Sequence, residues 1–197
     1  MHDLNRRAIN ASSYLALHAG GVEVEGVTVL LPGHMEAGKT TLTAGLVRAG
    51  ARYLSDEAVA LNWDGLGVVP YPKPLSIDAG AHALFPDLDP RIGLGEDGVL
   101  DQWQVAPERI RPDAVARGGR VPTLIVFPRY EAGATTVLEP VRGGEVLVEL
   151  AKNTFRFNEQ GRRALDHLAV LLAGARAYRL VPGDLAASVD AVLAAAR

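Results

Sequence analysis

The sequence predicts an α/β fold organised around a phosphate-binding unit, in which a strand runs into a glycine-rich loop and out into a helix. Three observations predict it. The pattern G-x-x-x-x-G-K-[ST] is met by Gly33, Gly38, Lys39 and Thr40, and at this chain's own residue frequencies it would arise by chance on the order of a few times in a thousand. The run before it, Val27-Thr-Val-Leu-Leu31, is apolar and β-branched, as a buried strand requires. The run after it, Thr40 to Ala49, carries Leu42, Leu46 and Val47 on one face and stops at Gly50, as a helix does.

The remaining elements follow in order. Leu15 to Leu31 reads as a β-hairpin: Leu15-Ala-Leu-His18-Ala and Val22-Glu-Val-Glu25 alternate or run apolar, and Gly26 marks the turn. After the helix, Tyr53 to Leu61 reads as one strand carrying Asp56 and Glu57. From Trp63 to Pro122 the chain is rich in proline and glycine, with a short strand-like piece at Leu66 to Tyr71 and a helical turn near Ala79 to Phe85. So long an irregular stretch in a compact domain points to a functional surface or lid rather than a linker. Strands return at Thr123 to Phe127 and Thr136 to Leu138. Helices follow at Gly143 to Ala151, at Glu159 to Leu172 with Leu165, Leu168, Leu171 and Leu172 as a core stripe, and at Pro182 to Ala196 with Gly183-Asp184 as the start. No internal repeat or low-complexity tail is present.

A chain of 197 residues, 48% hydrophobic, supports one sizeable core and so a single domain over residues 1–197. The net charge of −3 provides no global basic surface, which argues against nucleic acid as a partner. With no cysteine there are no disulfides or thiolate metal sites. No apolar run approaches the roughly 20 residues of a membrane span, and MHDLNRRAINASSY lacks the apolar core of a signal peptide. A cytoplasmic protein with no membrane partner is the expectation. The basic residues are 17 arginines against three lysines, Lys39, Lys73 and Lys152; a retained lysine can act as a compact point charge where a guanidinium cannot.

The loop's chemistry explains its spacing. Glycines at 33 and 38 let backbone N–H groups converge on phosphate oxygens, and the helix N-terminus adds a positive field. Lys39 reaches the β- and γ-phosphates and Thr40 ligates Mg²⁺. Gly33, Glu36, Ala37, Gly38, Lys39, Thr40 and Thr41 are thus the candidate residues for ATP or another nucleoside triphosphate. Glu36 is an oddity in a loop meant for anions. Either its side chain points outward while the backbone does the cradling, or it lowers nucleotide affinity by repulsion. Asp56 and Glu57 supply a carboxylate for Mg²⁺ and a base for an acceptor hydroxyl, although alternation points them to opposite sides unless the strand ends there.

From His18 in "LHAGG", through the loop, to "RAGARYLSDEAVAL", the chain resembles the catalytic domain of the HPr kinase/phosphorylase family and its related kinases. The resemblance implies a P-loop-containing, phosphoenolpyruvate carboxykinase-like core with a mixed sheet and flanking helices. It makes His18 the active-site histidine, Asp56 the Mg²⁺-linked acid and Glu57 the residue in the place of the general base. "VELAKNTFRFNEQG" is similar to a second family segment, in which Phe155, Arg156 and Gly161 fit while Asn158 replaces a lysine; Arg142 is matched to an arginine that faces phosphate. "YPKPLSIDAGAHALFP" and "AYRLVPGDL" look like the related-kinase group. The N-terminal domain of full HPr kinases and their Glu-x-Arg-Gly-Leu-Gly signature have no counterpart here, a glycine has become Glu36, and the base aspartate has become Glu57. HPr itself is therefore not the expected substrate, and phosphorylase activity is not carried over.

Beside these residues, Lys73 lies between Pro72 and Pro74 in an extended, exposed setting, either solvated or touching phosphate or substrate. Lys152 suits a helix C-terminus. His82 and His167 lack a second ligand at metal spacing and read as surface or core residues, and Trp63 and Trp103 serve either packing or adenine stacking. The sequence thus points to an ATP- and Mg²⁺-dependent hydroxyl kinase acting on a peptide or small protein, with serine the expected acceptor. A natural-product precursor peptide is one candidate, by analogy with related small kinases, and oligomers are what the family would imply. A nucleotide-binding regulatory module without transfer activity, or a small-metabolite kinase, are the alternatives.

Overall fold

A computed structural model describes residues 2–91 and 101–197; the part of the proline- and glycine-rich segment from 92 to 100 lies outside the described residues. After a helix, α1 (His2–Ala11), come β1 (Leu15–Val24) and β2 (Val27–Pro32), the hairpin read from the sequence. The glycine-containing loop after β2 leads into α2 (Lys39–Arg48), followed by β3 (Arg52–Ser55), β4 (Ala58–Leu61), β5 (Val68–Val69) and β6 (Leu75–Asp78). Two 3₁₀ turns, Ala79–Leu84 and Pro86–Leu88, precede β7 (Gln102–Val105) and the one-turn α3 (Pro107–Ile110). The rest is β8 (Leu124–Pro128), β9 (Val137–Pro140), α4 (Gly144–Lys152), α5 (Phe157–Ala173), β10 (Arg176–Val181) and α6 (Leu185–Ala196). No helix among the described residues is long and apolar enough to cross a membrane.

The described strands form a mixed sheet in the order β5-β4-β1-β2-β8-β10-β9, with β3 also paired to β1, beside a two-stranded ribbon of β6 and β7. β2 runs parallel to β8 and β8 to β10, while the other pairs are antiparallel. Both faces of the sheet are covered, which is why its central strands read as unbroken apolar runs. Along β2, Val29 and Leu31 point into one core with Leu42, Leu46 and Val192, whereas Leu30 points into the other with Val146, Leu150 and Leu168. The first core lies under α2 and α6 and the second under α4 and α5.

Two sequence expectations change. Tyr53 to Leu61 is two strands rather than one: the Ser55 hydroxyl accepts hydrogen bonds from the N–H groups of Glu57 (3.3 Å) and Ala58 (3.2 Å), a local turn that displaces ladder pairing at Asp56 and Glu57. Within α5, Ala164, Leu168 and Leu171 are buried, but Leu165 lies on the open side, 39% exposed. Gly161, at φ 50° and ψ −125°, breaks the helix after its first turn. The start foreseen at Gly183-Asp184 is a true cap, with Asp184 Oδ1 accepting from the Ala187 N–H at 2.9 Å. α1, β6, β7, α3 and β10 had no counterpart in the sequence reading.

The sheet holds α2 close. At Gly20 on β1 a Cβ would meet Thr43 Oγ1 of α2 at 2.5 Å, so this crossing needs glycine. The far end of α2 is tied by Arg111, whose guanidinium donates to the carbonyls of Val47, Gly50 and Ala51. Gly20→Ala should therefore destabilise the fold by about 1–3 kcal/mol. Because Thr43 Oγ1 is buried with no hydrogen-bond partner among the described residues, Thr43→Ala should restore part of that loss in the double variant. Urea denaturation of the four proteins checks it, and strictly additive effects would contradict the close contact.

Candidate active site

The loop from Gly33 to Gly38 joins β2 to α2 at the edge where β1 changes partners. Gly38, at φ 90°, has the left-handed backbone that admits the sharp entry into the helix, and its carbonyl accepts the first helical bond from Leu42 N–H at 3.0 Å. Ala37 is buried and packs where a Cβ on Gly33 would come within 3.1 Å of its own Cβ. His34, Met35 and Glu36 are exposed. Glu36 is held at φ 64°, a left-handed conformation that costs a residue with a Cβ about 1–2 kcal/mol. Its side chain faces solvent, as the outward reading requires. Thr41, on the first turn of α2, is half-buried.

Lys39 is 7% exposed and folds back over the loop, donating from Nζ to the His34 carbonyl at 2.7 Å. Burial brings its pKa down to about 8, against the opposing pull of Asp56, so the ammonium persists at neutral pH. A charge held this dry interacts strongly with any anion that enters the loop.

Asp56 is the centre of the polar network. Buried to 3% exposure, its Oδ2 accepts from Thr40 Oγ1 at 3.4 Å and from the Ser76 N–H at 3.2 Å. Its Oδ1 accepts from the Tyr53 hydroxyl at 2.9 Å and pairs with Lys73 Nζ at 2.9 Å. Burial, reinforced by the Asp56 charge, pushes the Tyr53 phenol far up, so that it donates as a neutral group. Glu57 Oε2 is 3.5 Å from the same Lys73 Nζ. The break between β3 and β4 is what lets two neighbouring acids share one ammonium, since an unbroken strand would have turned them apart.

His18 sits on β1 where pairing passes from β4 to β3. Its N–H donates to the Asn153 carbonyl at 2.6 Å and its carbonyl accepts from the Gly33 N–H at 3.5 Å. Its ring lies 5.8 Å from that of Phe155. Burial first, then the charges of Lys39 and His34, lower its pKa to about 4, so the imidazole is neutral at pH 7. Together with Gly33, His34, Arg129, Asn153 and Arg179 it lines a groove of about 650 Å³ beside the loop.

The two arginines lie elsewhere. Arg156, at φ 52° ahead of α5, donates to the Ser12 carbonyl at 2.8 Å and approaches Glu159 at 3.8 Å. Arg142 lines a depression with Gly143, Leu172, Arg176 and Tyr178 that adjoins the groove beside the loop across Val141 and Val146. Neither has a hydrogen bond or ion pair with the loop, His18 or the acids among the described residues. Lys152 pairs with Glu149 at 2.9 Å at the end of α4. Trp63 lies under the Arg163 guanidinium and edge-on to His167, and Trp103 stacks on His82 in the core, so both tryptophans pack. Tyr53 and the Ser76 N–H were missed in the sequence. A tyrosine three residues before an acid reads as an ordinary strand residue, and a backbone donor leaves no sequence signal. Lys73 did carry one, as a lysine held between prolines in an arginine-rich chain.

The donors present suit a hard cation. Mg²⁺ takes one or two carboxylates, phosphate oxygens and waters, and Thr40 Oγ1 with Asp56 Oδ2 would provide the protein's share of such a set. Among the described residues no group of three or more His, Asp or Glu could hold a metal alone, so a divalent ion here would depend on nucleotide oxygens.

No protein-family model and no curated protein matches the chain. Among solved structures it is similar to the HPr(Ser) kinase/phosphatase from Coxiella burnetii, at 12% identity over 91% of this chain and 93% of that one, with a TM-score of 0.40. Overlap that loose carries no functional information, and the chemistry has to come from the residues.

The lowered His18 pKa has a measurable consequence. Between its ordinary value of 6.5 and about 4, the unfolded chain takes up a proton that the folded one refuses, so stability falls as pH drops through that window and is unaffected above it. His18→Gln should lose less stability than wild type between pH 6.5 and 4.5 in calorimetric melts. Equal slopes for the two proteins would show that His18 is not held neutral.

Proposed function

We propose that this chain is an ATP- and Mg²⁺-dependent kinase that transfers the γ-phosphoryl group to a hydroxyl, expected to be serine, of a peptide or small protein. The observation that carries the reading is the Thr40 hydroxyl at the head of α2 facing the buried Asp56 carboxylate at 3.4 Å, with Lys39 inside the loop and Glu57 next in the chain. In this reading Lys39 and the N–H groups of Glu36, Gly38, Lys39, Thr40 and Thr41 hold the phosphates, Gly33 and Ala37, whose N–H groups donate to the His18 carbonyl at 3.5 Å and the His34 carbonyl at 3.4 Å, shape the loop around them, and Thr40 and Asp56 hold Mg²⁺. The ion, when bound, supplies neutralisation of charge on the transferring group. Glu57 takes the acceptor proton as the acceptor oxygen bonds to the γ-phosphorus and the bond to the ADP oxygen breaks. His18, neutral beside Gly33, offers a ring nitrogen to the same space. Arg156 and Arg142 belong to the machinery only if their segments move toward bound nucleotide. The same reading takes residues 1–197 as one catalytic unit, cytoplasmic and capable of self-association.

The second reading, a nucleotide-binding module without transfer, draws on Glu36 at the loop mouth and on Lys39 engaged with the loop's own carbonyl. Label transfer from γ-labelled ATP to serine-containing peptides separates the two. Wild type should transfer label. Glu57→Gln should lose about 10²–10⁴-fold in rate while still binding ATP. Nucleotide binding with no transfer to any hydroxyl acceptor would favour the module, and undiminished transfer by Glu57→Gln would remove Glu57 as the base.

A further inference from the structure

Lys73 has no phosphate-holding role in the reading above, yet it is a firmly built cation beside the acids. Its backbone lies between Pro72 and Pro74, which fix φ on both sides. Its carbonyl lies 3.0 Å from the Tyr53 hydroxyl, whose one proton is shared between this oxygen and Asp56 Oδ1, and its N–H donates to the Tyr71 carbonyl at 3.0 Å. The ammonium, on a side chain 12% exposed, reaches Asp56 Oδ1 at 2.9 Å and Glu57 Oε2 at 3.5 Å and donates to the Pro74 carbonyl at 3.1 Å. Three acceptors around three N–H donors is an arrangement for a lysine; a planar guanidinium would not match it.

The two oxygens of Asp56 are therefore committed differently. Oδ2 faces Thr40 and Oδ1 faces Lys73. Two-metal phosphoryl-transfer sites place their ions about 3.5–4 Å apart, commonly across a shared carboxylate. Asp56 stands in the place of that shared ligand, but the side toward Glu57 already holds a positive charge. We propose that Lys73 is a positioning residue that takes the place of a second divalent ion between Asp56 and Glu57, so that this site binds one metal ion, on the Thr40 side. The inference rests on the nucleotide-site reading. It also gives Lys73 a purpose that a general surface ion pair lacks. It holds two adjacent carboxylates together before nucleotide arrives, and it excludes a second ion that would otherwise occupy Glu57.

The test counts metal ions rather than turnover. Mn²⁺ is titrated into the protein saturated with ADP, and free Mn²⁺ is followed by electron paramagnetic resonance, with melts confirming that each variant is folded. Wild type should bind one ion per chain, Lys73→Met two, and the double variant Lys73→Met/Glu57→Gln one again. Lys73→Gln is the substitute if the methionine variant does not fold, and the wild-type count is decisive without either. Two ions in wild type, or one in a folded Lys73→Met or Lys73→Gln protein, would overturn the inference alone. A wild type that binds neither ADP nor Mn²⁺ would remove the proposed function and this inference with it.

Discussion

The buried carboxylate of Asp56 is the tie on which the arrangement of the site depends. Its four partners come from four places: Thr40 from the head of α2, Tyr53 from β3, Lys73 from the segment after β5, and the Ser76 N–H from β6. A charge at 3% exposure is tolerable only when its lone pairs are answered, and losing one partner of such a group costs far more than the pair contributes net. The same bonds that satisfy the charge fix where the loop helix, the acid turn and the lysine stand relative to each other. The site is thus organised by the cost of burying one carboxylate.

β1 provides the frame on which that tie is made. Its first half pairs with β4, its second half with β3 and its opposite edge with β2. His18, the acid turn and the loop consequently meet where one strand changes partners. The register shift between Gly21 and Val22 accompanies that change, and the missing side chain at Gly20 lets α2 lie against the strand. Close packing of the helix brings Thr40 within reach of Asp56. A tight backbone contact on one strand becomes, two steps later, a hydroxyl held 3.4 Å from a buried carboxylate.

Much of this was legible in the sequence because it is local. The strand before Gly33, the helix after Lys39 and the hairpin from Leu15 are written in periodicity and glycine placement, and the cap at Asp184 in a single side chain. The acids at 56 and 57 were legible as chemistry but not as geometry. Their shared direction depends on Ser55 turning back onto the N–H groups of Glu57 and Ala58, a competition between side chain and ladder that strand propensity does not record. The four-residue strands β6 and β7 are too short for alternation to stand out, and they exist because each pairs with the other. Arg156 and Arg142 matched a pattern, but the local chain directs Arg156 to Ser12 and places Arg142 in a depression that adjoins the groove rather than at the loop. Residue type alone could not carry that information.

The measurement that bears most directly on the central claim, a nucleotide site built on Lys39, is calorimetric titration of Mg²⁺–ATP into wild type and into Lys39→Met, which keeps most of the aliphatic stem. The account predicts saturable one-to-one binding to wild type and a loss of at least about tenfold in the variant, the weight of one charge-assisted contact of roughly 1.5–3 kcal/mol. Equal affinity in the two folded proteins, or no binding to wild type, would contradict it.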